Sequence, residues 1–591
     1  MSLAHCNIRS FLGLAMLAVF ETHRIQKHRV GTGPSAHIPV GAPVPLKPSQ
    51  APVMTLSHRV APKFRISRPL ARSFATATYA SEGVVPVFSI GQLPRVSVRP
   101  QPRGATGRHA WFGRGPQVAV PAFAKVVGLP STPSALFNHW FLGLAVVAAV
   151  FKFASRDSST SKAETPSNVK ALQLRYLPVF WMLRMADWLQ GPYFYEVYAS
   201  KVFGGQKASL DLISRLFLTG FGATALLGPL VGRLTDQNGR KLGTIAFTIF
   251  YIAGALSTKS VLLWILVLGR LAGGIGTSLL FSAPEAWLVG EAQRVGATAS
   301  LGGIFGAAYA GDALVAIIAG QIAQSTAGIR GPSGPFEVST LFLVAGAALA
   351  GLTWKENKAV SSASSVSDAE TGPTIKEAAQ MVLSDKKMVA VGAVQALFEG
   401  SMYIFVLQWP PAVVSAVTRI YGSSATTPFG VVFSCFMLSC LLGSTIFGVV
   451  AKKVRTEVST LVMLSVATLA MAAGTGAVLA PTSPLTPMVA SFFLFEVCVG
   501  MYFPSISTLR SKYIPDSHRS VIMNLFGIPL NALVVSVFLC IKRLGVGGAL
   551  SIASGALFIA MASMLVLVRS SHADKSTSVN PPDKGDADDS A

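Results

Sequence analysis

The chain has 591 residues, of which 51% are hydrophobic and only 13% are charged, and its mean hydropathy is +0.53. A soluble globular domain is usually about a quarter charged, so this composition indicates a membrane protein. The formal net charge of +23 first suggests a nucleic-acid partner. However, 16 Lys and Arg against 2 Asp and Glu lie in residues 1–134, and much of the remaining excess lies in short loops between apolar runs. We therefore expect no nucleic-acid partner.

The first part of the chain, residues 1–134, is typical of a basic, low-complexity leader. It opens with an apolar stretch of ten residues, which is too short to span a bilayer and typical of a signal segment. From Thr22 to about Pro133 the chain is poor in acids and rich in Pro, Ser, Ala and Val, a composition that resembles a transit peptide. It predicts targeting to a plastid or another organelle, with a disordered cytosolic extension as the alternative. Residues 135–153 are apolar enough for an additional transmembrane helix.

Apolar runs of about 20 residues, the length that a transmembrane helix needs, dominate the chain after residue 170. Twelve of them lie near 176–198, 212–231, 242–258, 260–282, 298–323, 336–354, 388–410, 427–450, 457–480, 485–508, 519–541 and 546–569. The grouping of six and six predicts an all-α integral membrane protein with two six-helix bundles. The N-terminal bundle is expected at 172–354 and the C-terminal bundle at 388–570.

Polar segments separate and follow the bundles. Residues 355–387 are rich in Ser and charge and predict a solvated cytoplasmic linker with a short surface helix, while residues 571–591 predict a disordered tail. The basic residues after the second, eighth and tenth runs are Arg233, Arg240, Lys241, Lys452, Lys453, Arg455, Arg510, Lys512 and Arg519. If the spans alternate, these loops share one face with the linker, which the positive-inside bias assigns to the cytosol or its organellar equivalent. Lys542 and Arg543 fall on the opposite face.

The turn between the second and third runs, GRLTDQNGRKLG, is unusually polar and rich in Gly. It resembles the GxLaDrxGRkxx signature of the major facilitator superfamily, a gating-loop motif that stands here as Gly232, Asp236, Gly239, Arg240 and Lys241. Glycines permit a tight turn and close helix approach. An acid such as Asp236 can contact a helix N-terminus or pair with a neighbouring Arg, and such a contact would hold the two halves together in one state. The alternative is a charged loop without this role.

The fourth run contains a second pattern, LVLGRLAGGIG, which resembles the LxxxRxxxGxG motif of the same superfamily. Its cation is Arg270. A charge in hydrocarbon costs several kcal/mol unless it faces a partner or water, so we expect Arg270 to face the central cavity. The alternative is an Arg near a helix end that reaches the membrane interface.

Longer segments resemble the molybdate-anion transporter family over roughly residues 172–570. They are ADWLQGPYFYEVY (186–198), GRLAGGIGTSLLFSAPEAWLVGE (269–291), LSDKKMVAVGAVQALFEGSMYIF (383–405), EVCVGMYFPSISTLRSKYIPD (496–516) and VIMNLFGIPLN (521–531). The resemblance implies a twelve-helix major facilitator fold and high-affinity uptake of molybdate across a membrane. It supplies no firm list of binding residues.

The chain departs from this family at two positions. The family's motif in the eleventh helix is F-R-[IV]-P-L, whereas residues 526–530 read FGIPL, so that Gly527 stands where the family has a cation. Conversely, Arg184 in the first run stands where the family has an apolar residue. One hypothesis is that Arg184 supplies part of the missing positive field for an oxyanion. The alternative is that Arg184 pairs with Asp187 one turn later.

Four acids are expected to be buried within the apolar runs, namely Asp187, Asp312, Glu399 and Glu496. In the superfamily, helices 1, 4, 7 and 10 face the cavity, and three of these acids lie on those helices, as does Arg270. A buried carboxylate away from water readily carries a proton, which suggests proton-coupled anion symport. The alternative for each acid is a satisfied hydrogen bond between helices.

Six further side chains are candidates for the substrate path. Gln190 is an amide donor of the kind that a tetrahedral oxyanion needs, and Ser278, Ser401 and Gln395 are comparable donors. Tyr193 follows the Gly191-Pro192 break and either lines the path or anchors the helix at the interface. Glu285 belongs to the family segment at the end of the fourth run. We expect the site near the bilayer midplane between the halves.

Motifs for catalysis are missing from the sequence. It contains no GxxxxGK[ST], no HExxH and no cysteine spacing typical of a metal site, so we expect no enzyme activity, no cofactor and no metal. The expected function is secondary active transport of molybdate or a similar oxyanion by alternating access, by a monomer in the plasma membrane or an organellar membrane. The alternatives are a major facilitator transporter of a sugar or organic metabolite, and a membrane sensor that transports nothing.

Overall fold

The computed structural model describes residues 130–155, 166–358, 375–481, 484–515 and 518–579. The predicted leader therefore lies almost entirely outside the described residues. Within the described part the chain is helical apart from one antiparallel hairpin, in which Val202–Phe203 (β1) pairs with Gln206–Lys207 (β2).

Sixteen helices, joined by short turns, make up the described chain. They are α1 (Pro133–Ala154), α2 (Ser167–Gln190), α3 (Phe194–Ala199), α4 (Leu210–Asn238), α5 (Arg240–Ser257), α6 (Leu263–Leu280), α7 (Ala283–Arg294), α8 (Leu301–Arg330), α9 (Gly334–Thr353), α10 (Ile375–Ser384), α11 (Lys386–Tyr421), α12 (Phe429–Val450), α13 (Thr456–Leu479), α14 (Leu485–Tyr513), α15 (Arg519–Leu539) and α16 (Ile541–Val579). The turns at Gly191–Tyr193 and Thr298–Ser300 are 3-10 helical. Each of the twelve predicted apolar runs falls on these helices.

Eleven helices among the described residues are long and apolar enough to cross a membrane, with α6 and α7 taken as one continuous helix. α1 is one of them. α2 and α5 coincide with predicted runs but are not among the eleven, because each carries charge. Arg184 and Asp187 lie within α2, and α5 begins with Arg240 and Lys241.

The helices pack as two sets, which we call the N-terminal half (α2 to α9) and the C-terminal half (α11 to α16). In the N-terminal half α2 packs on α8 and α9, α4 packs on α6, and α5 packs on α6 and α9. In the C-terminal half α11 packs on α15 and α16, and α14 packs on α12 and α13. The halves meet where α8 contacts α12 and α4 contacts α15.

The α8–α12 contact brings two backbones together. A Cβ atom built on Gly320 would lie 2.6 Å from the carbonyl oxygen of Gly430, so only glycine permits this approach. One turn away, Ser434 Oγ donates to the carbonyl oxygen of Ile317 at 2.9 Å. α1 packs beside this seam against α12, and its Ala148 shares a small apolar cluster with Ile317 and Leu438.

The contacts between the halves define two ends of the bundle. The end that carries the turn between α4 and α5 is called the Gly239 end, and the other is called the opposite end. Tyr193, which follows α2, packs on Phe429 at the start of α12 with ring centroids 5.6 Å apart. The ring centroids of Phe217 and Phe538 lie 5.3 Å apart, also toward the opposite end. These contacts join the two halves toward the opposite end.

Three boundaries differ from the sequence expectations. α14 continues to Tyr513, because Arg510 and Lys512 find partners on neighbouring helices, so these two residues are helical rather than loop charges. α16 is helical through Val579, which extends past the expected start of the tail at residue 571. Within the predicted linker 355–387, α10 occupies Ile375–Ser384.

Candidate functional site

The polar turn at the Gly239 end is shorter than its twelve-residue motif. α4 ends at Asn238 and α5 begins at Arg240, so Gly239 alone joins them, with a φ of 138° that favours glycine. Arg240 Nε donates to Asp236 Oδ1 at 3.1 Å. Of the two roles proposed for Asp236, the structure therefore shows pairing with a neighbouring Arg within its own half. Gly232 has open space around it, so it marks no close helix approach.

A different acid caps the N-terminus of α5. The Glu356 carboxylate accepts hydrogen bonds from the backbone amides of Lys241 at 2.8 Å and Leu242 at 3.0 Å. A carboxylate there also opposes the positive end of the helix dipole. Lys241 Nζ in turn donates to the carbonyl oxygens of Gly351 and Trp354 at 2.7 and 3.0 Å. The start of the predicted solvated linker is thus anchored on the turn.

Arg184 is the centre of a buried network in the N-terminal half. Its Nη1 donates to Asp187 Oδ2 at 3.0 Å and its Nε donates to Asp312 Oδ1 at 2.9 Å. Its guanidinium also lies 4.7 Å from the ring centroid of Trp188, whose Nε1 donates to the same oxygen of Asp312 at 2.8 Å. Tyr251 donates to Asp187 Oδ1 at 2.5 Å.

This network favours one of the two interpretations of Arg184. The alternative interpretation, an ion pair with Asp187, is what the structure shows, and Asp312 adds a second carboxylate. The Arg184 side chain is only 8% exposed. Its one positive charge is shared between two negative charges, so the cluster does not attract an anion.

The surroundings of Arg270 differ from those of Arg184. The Arg270 guanidinium lies 4.7 Å from the ring centroid of Phe194, and a Cβ built on Gly220 would lie 2.6 Å from its Nη2. Its Nε is buried without a hydrogen-bond partner among the described residues. The neighbouring Tyr198 hydroxyl is buried beside this guanidinium and interacts with it. Arg270 therefore presents a cation that no carboxylate of the described residues neutralises.

Gln190 and Tyr193 belong to the packing of the first helix. Gln190 Nε2 donates to Ser339 Oγ at 3.0 Å. Tyr193 donates to Gln324 Oε1 at 2.9 Å, and the same oxygen accepts the backbone amide of Gly430 at 3.2 Å. Tyr193 thereby takes part in joining the halves toward the opposite end, a role that neither of its two expected interpretations included.

Glu285 and Glu496 lie outside the Arg184 network. Glu285, in the first turn of α7, accepts a hydrogen bond from the hydroxyl of Tyr309. Glu496 is buried in α14, where Cys440 Sγ donates to its Oε2 at 3.0 Å. Among the described residues no group of His, Cys, Asp and Glu side chains could hold a metal ion.

Glu399 has partners that the sequence did not suggest. Arg510 Nη2 and Tyr502 Oη donate to Glu399 Oε1 at 3.0 and 2.9 Å, and Arg510 Nε donates to Gln395 Oε1 at 3.0 Å. The sequence analysis treated Arg510 as one of several loop cations. Its position in helical register with Tyr502, two turns earlier on α14, was the available signal that both face the same neighbour.

Gly527 has room for the side chain that it lacks. A Cβ atom built there would meet only the amide nitrogen of Asn531, at 3.9 Å. The departure from the family motif is therefore not forced by packing.

Comparison with known proteins agrees with this architecture. Residues 136–500 match the model of a family described as sugar transporters with 12 TM. A molybdate-anion transporter of Xenopus tropicalis is 30% identical over 66% of this chain and 84% of the relative. Another of Takifugu rubripes is 28% identical over 66% of this chain and 82% of the relative.

Solved structures with a similar fold are also transporters. The nucleoside transporter NupG has a TM-score of 0.55 at 12% identity, over 67% of this chain and 99% of that chain. A bacterial homologue of the iron transporter ferroportin, in an inward-facing state, has a TM-score of 0.50 at 14% identity, over 67% of this chain and 98% of that chain. At these identities the likeness shows the fold alone. The all-α architecture and the sequence matches together identify the chain as a multi-pass membrane protein that belongs to the molybdate-anion transporter family of the major facilitator superfamily.

Proposed function

We propose that this protein is a secondary active transporter that moves molybdate or a similar tetrahedral oxyanion across a membrane by alternating access. The observation that carries this proposal is Arg270, a guanidinium near the path between the halves with no carboxylate partner among the described residues. A charge left inside a membrane protein without a partner is costly, and an anionic substrate would neutralise it. The names of the relatives support the same class of substrate.

The surroundings of Arg270 suit an anion that arrives from the Gly239 end. Aromatic contacts join the halves toward the opposite end, and Phe194, over which the Arg270 guanidinium lies, packs on Phe217 of that cluster. The planar fork of an Arg can donate two parallel hydrogen bonds to an oxyanion, and the Tyr198 hydroxyl is a further donor beside it.

Uptake of labelled molybdate by a cell without its own molybdate transporter tests the proposal, with sulfate as the competing anion. We expect Arg270→Ala to lower kcat/KM by roughly tenfold or more, and Arg270→Lys to retain part of it because the charge remains. Wild-type protein that is correctly inserted yet takes up no molybdate would contradict the proposal.

We further propose that uptake is coupled to protons. Asp187 and Asp312 share the single guanidinium of Arg184, which leaves one carboxylate charge in excess inside the bundle. A proton bound there would neutralise the cluster and lower the cost of passing an anion. An uncoupler should abolish concentrative uptake, and uptake that persists unchanged in its presence would exclude coupling.

A second candidate is a major facilitator transporter of a sugar or organic metabolite. Gly527 favours it, because the family's cation is missing there although the space is open. The description of the matching family model points in the same direction. A panel of radiolabelled oxyanions, sugars and organic acids separates the two candidates by which tracer accumulates.

For the remaining properties we propose a monomer without enzymatic activity, in the plasma membrane or an organellar membrane. The leader composition supports an organelle such as a plastid. Sequencing of the mature N-terminus would distinguish a removed targeting segment from a retained extension.

A further inference from the structure

Arg510 and Glu399 form an ion pair that differs from the other buried charges. Arg510 lies three residues before the end of α14, at the Gly239 end, and reaches across to α11. The side chains of Arg510 and Glu399 are 22% and 19% exposed, so solvent reaches both. The pair therefore lies at the end of the bundle remote from the ring contacts that join the halves at Phe429 and Phe538.

The three cations near the path are neutralised to different degrees. Arg184 is held by two carboxylates and Arg270 by none of the described ones, whereas Arg510 is held by one. An anion meets no unneutralised positive charge at Arg184. At Arg270 no carboxylate of the described residues competes with it. At Arg510 an anion competes with the carboxylate that already accepts from Nη2.

Glu399 can leave Arg510 without becoming an isolated buried charge. Tyr502 Oη still donates to it, and solvent reaches the carboxylate. Arg510 in turn keeps Gln395 Oε1 as a neutral acceptor at its Nε. Its Nη2 is then available to an oxyanion. The ion pair between Arg510 and Glu399 can therefore separate. In the Arg184 network, by contrast, removing one partner leaves a buried charge without its counter-charge.

We propose that Arg510 is an entry subsite for the oxyanion at the Gly239 end, where the substrate and the Glu399 carboxylate compete for the same guanidinium. This inference rests on the proposed transport of an oxyanion. Binding of the substrate breaks the ion pair between Arg510 and Glu399, and departure of the substrate restores it. Protonation of Glu399 would favour the anion, since the competitor then loses its charge.

Two substitutions that should change the KM for molybdate in opposite directions test the competition. Glu399→Gln removes the competitor, so the KM for molybdate should fall about fivefold, whereas Arg510→Gln removes the subsite, so KM should rise about fivefold or more. Arg510→Lys should lie between wild type and Arg510→Gln. A purely structural ion pair predicts instead that both changes lower the amount of folded protein and move KM in the same direction or not at all.

Lys512→Gln is the matched control. Lys512 is two residues away on the same helix, but its Nζ contacts Glu457 on α13 rather than α11. Its loss should leave KM unchanged although the net charge changes by the same amount as in Arg510→Gln. An equal rise of KM in Lys512→Gln would show that bulk charge at this end, rather than the subsite, is responsible.

A second measurement separates this inference from the proposed function. If wild-type protein shows no molybdate uptake, the proposed function fails. The rise in Tm that molybdate produces in the detergent-purified variants then decides the subsite. The subsite predicts that this rise in Tm is largest in Glu399→Gln, intermediate in wild type and smallest in Arg510→Gln. Equal shifts in all three proteins would overturn it.

Discussion

Arg184 Nε lies 2.9 Å from Asp312 Oδ1, which joins α2 to α8 through two charged groups that are 128 residues apart in the chain. The same guanidinium reaches Asp187 within its own helix. The ion pair thus ties the first helix of the N-terminal half to the helix that forms the seam with the other half. A residue that replaced an apolar side chain of the family has become part of the frame rather than of the substrate path.

Replacement of Arg184 should therefore destabilise the protein before it affects affinity for any anion. We expect Arg184→Ala to lower the free energy of unfolding by about 3–5 kcal/mol, because two buried carboxylates lose their counter-charge. Thermal unfolding in detergent micelles measures this. Adding Asp312→Asn to the same chain should recover part of the loss. Arg330→Ala, at an exposed ion pair with Glu337, should cost less than about 1 kcal/mol.

Gly220 determines where the Arg270 guanidinium lies. Because a Cβ there would come within 2.6 Å of Nη2, Gly220→Ala should displace the guanidinium and raise the KM for molybdate by roughly threefold or more. Gly302→Ala on α8 is the control, since its Cβ would meet nothing within 4 Å. A change of equal size in both variants would mean that the effect comes from helix stiffness rather than from Arg270.

Gly527→Arg should introduce the cation of the family motif, and a Cβ atom at this position meets only Asn531 Nδ2 at 3.9 Å. If the protein carries an oxyanion, the added charge should lower the KM for molybdate by roughly threefold or more. Gly527→Gln, which adds similar bulk without charge, is the comparison. If only sugar or metabolite uptake responds to Gly527→Arg, the second candidate function gains support.

Glu356 should stabilise the turn that it caps. We expect Glu356→Gln to lower the free energy of unfolding by about 1 kcal/mol, because the amides of Lys241 and Leu242 lose a charged acceptor. Thermal unfolding again provides the measurement, and Lys358→Gln, two residues later and exposed, is the control. Equal stability of wild type and Glu356→Gln would show that the linker is not fastened by this carboxylate.

Hydropathy alone was enough to locate the helices. Each transmembrane segment must satisfy its own backbone hydrogen bonds, so it is recognisable as a local apolar run in the sequence. The pairing of Arg184 with Asp187 was predictable for the same reason, since residues three apart share a helix face. Asp312 was not assigned to that pair, because a contact over 128 residues leaves no local pattern.

Arg510 and Glu356 show the other limit of sequence reasoning. A basic residue near the end of an apolar run is usually an interfacial or loop charge, and nothing in its neighbourhood reveals that it turns inward to Glu399. Glu356 lies in a segment whose composition is typical of a solvated linker, yet it contacts a turn 115 residues earlier. Both contacts depend on which helix ends are neighbours in the folded protein.

α1 affects the protein beyond its packing on α12. Tyr421 Oη, at the end of α11, donates to the carbonyl oxygen of Pro130, so the polypeptide enters α1 on the side remote from the basic turn. Added to the twelve core crossings, α1 makes the total odd, and Thr132 and the end of α16 then lie in different aqueous compartments.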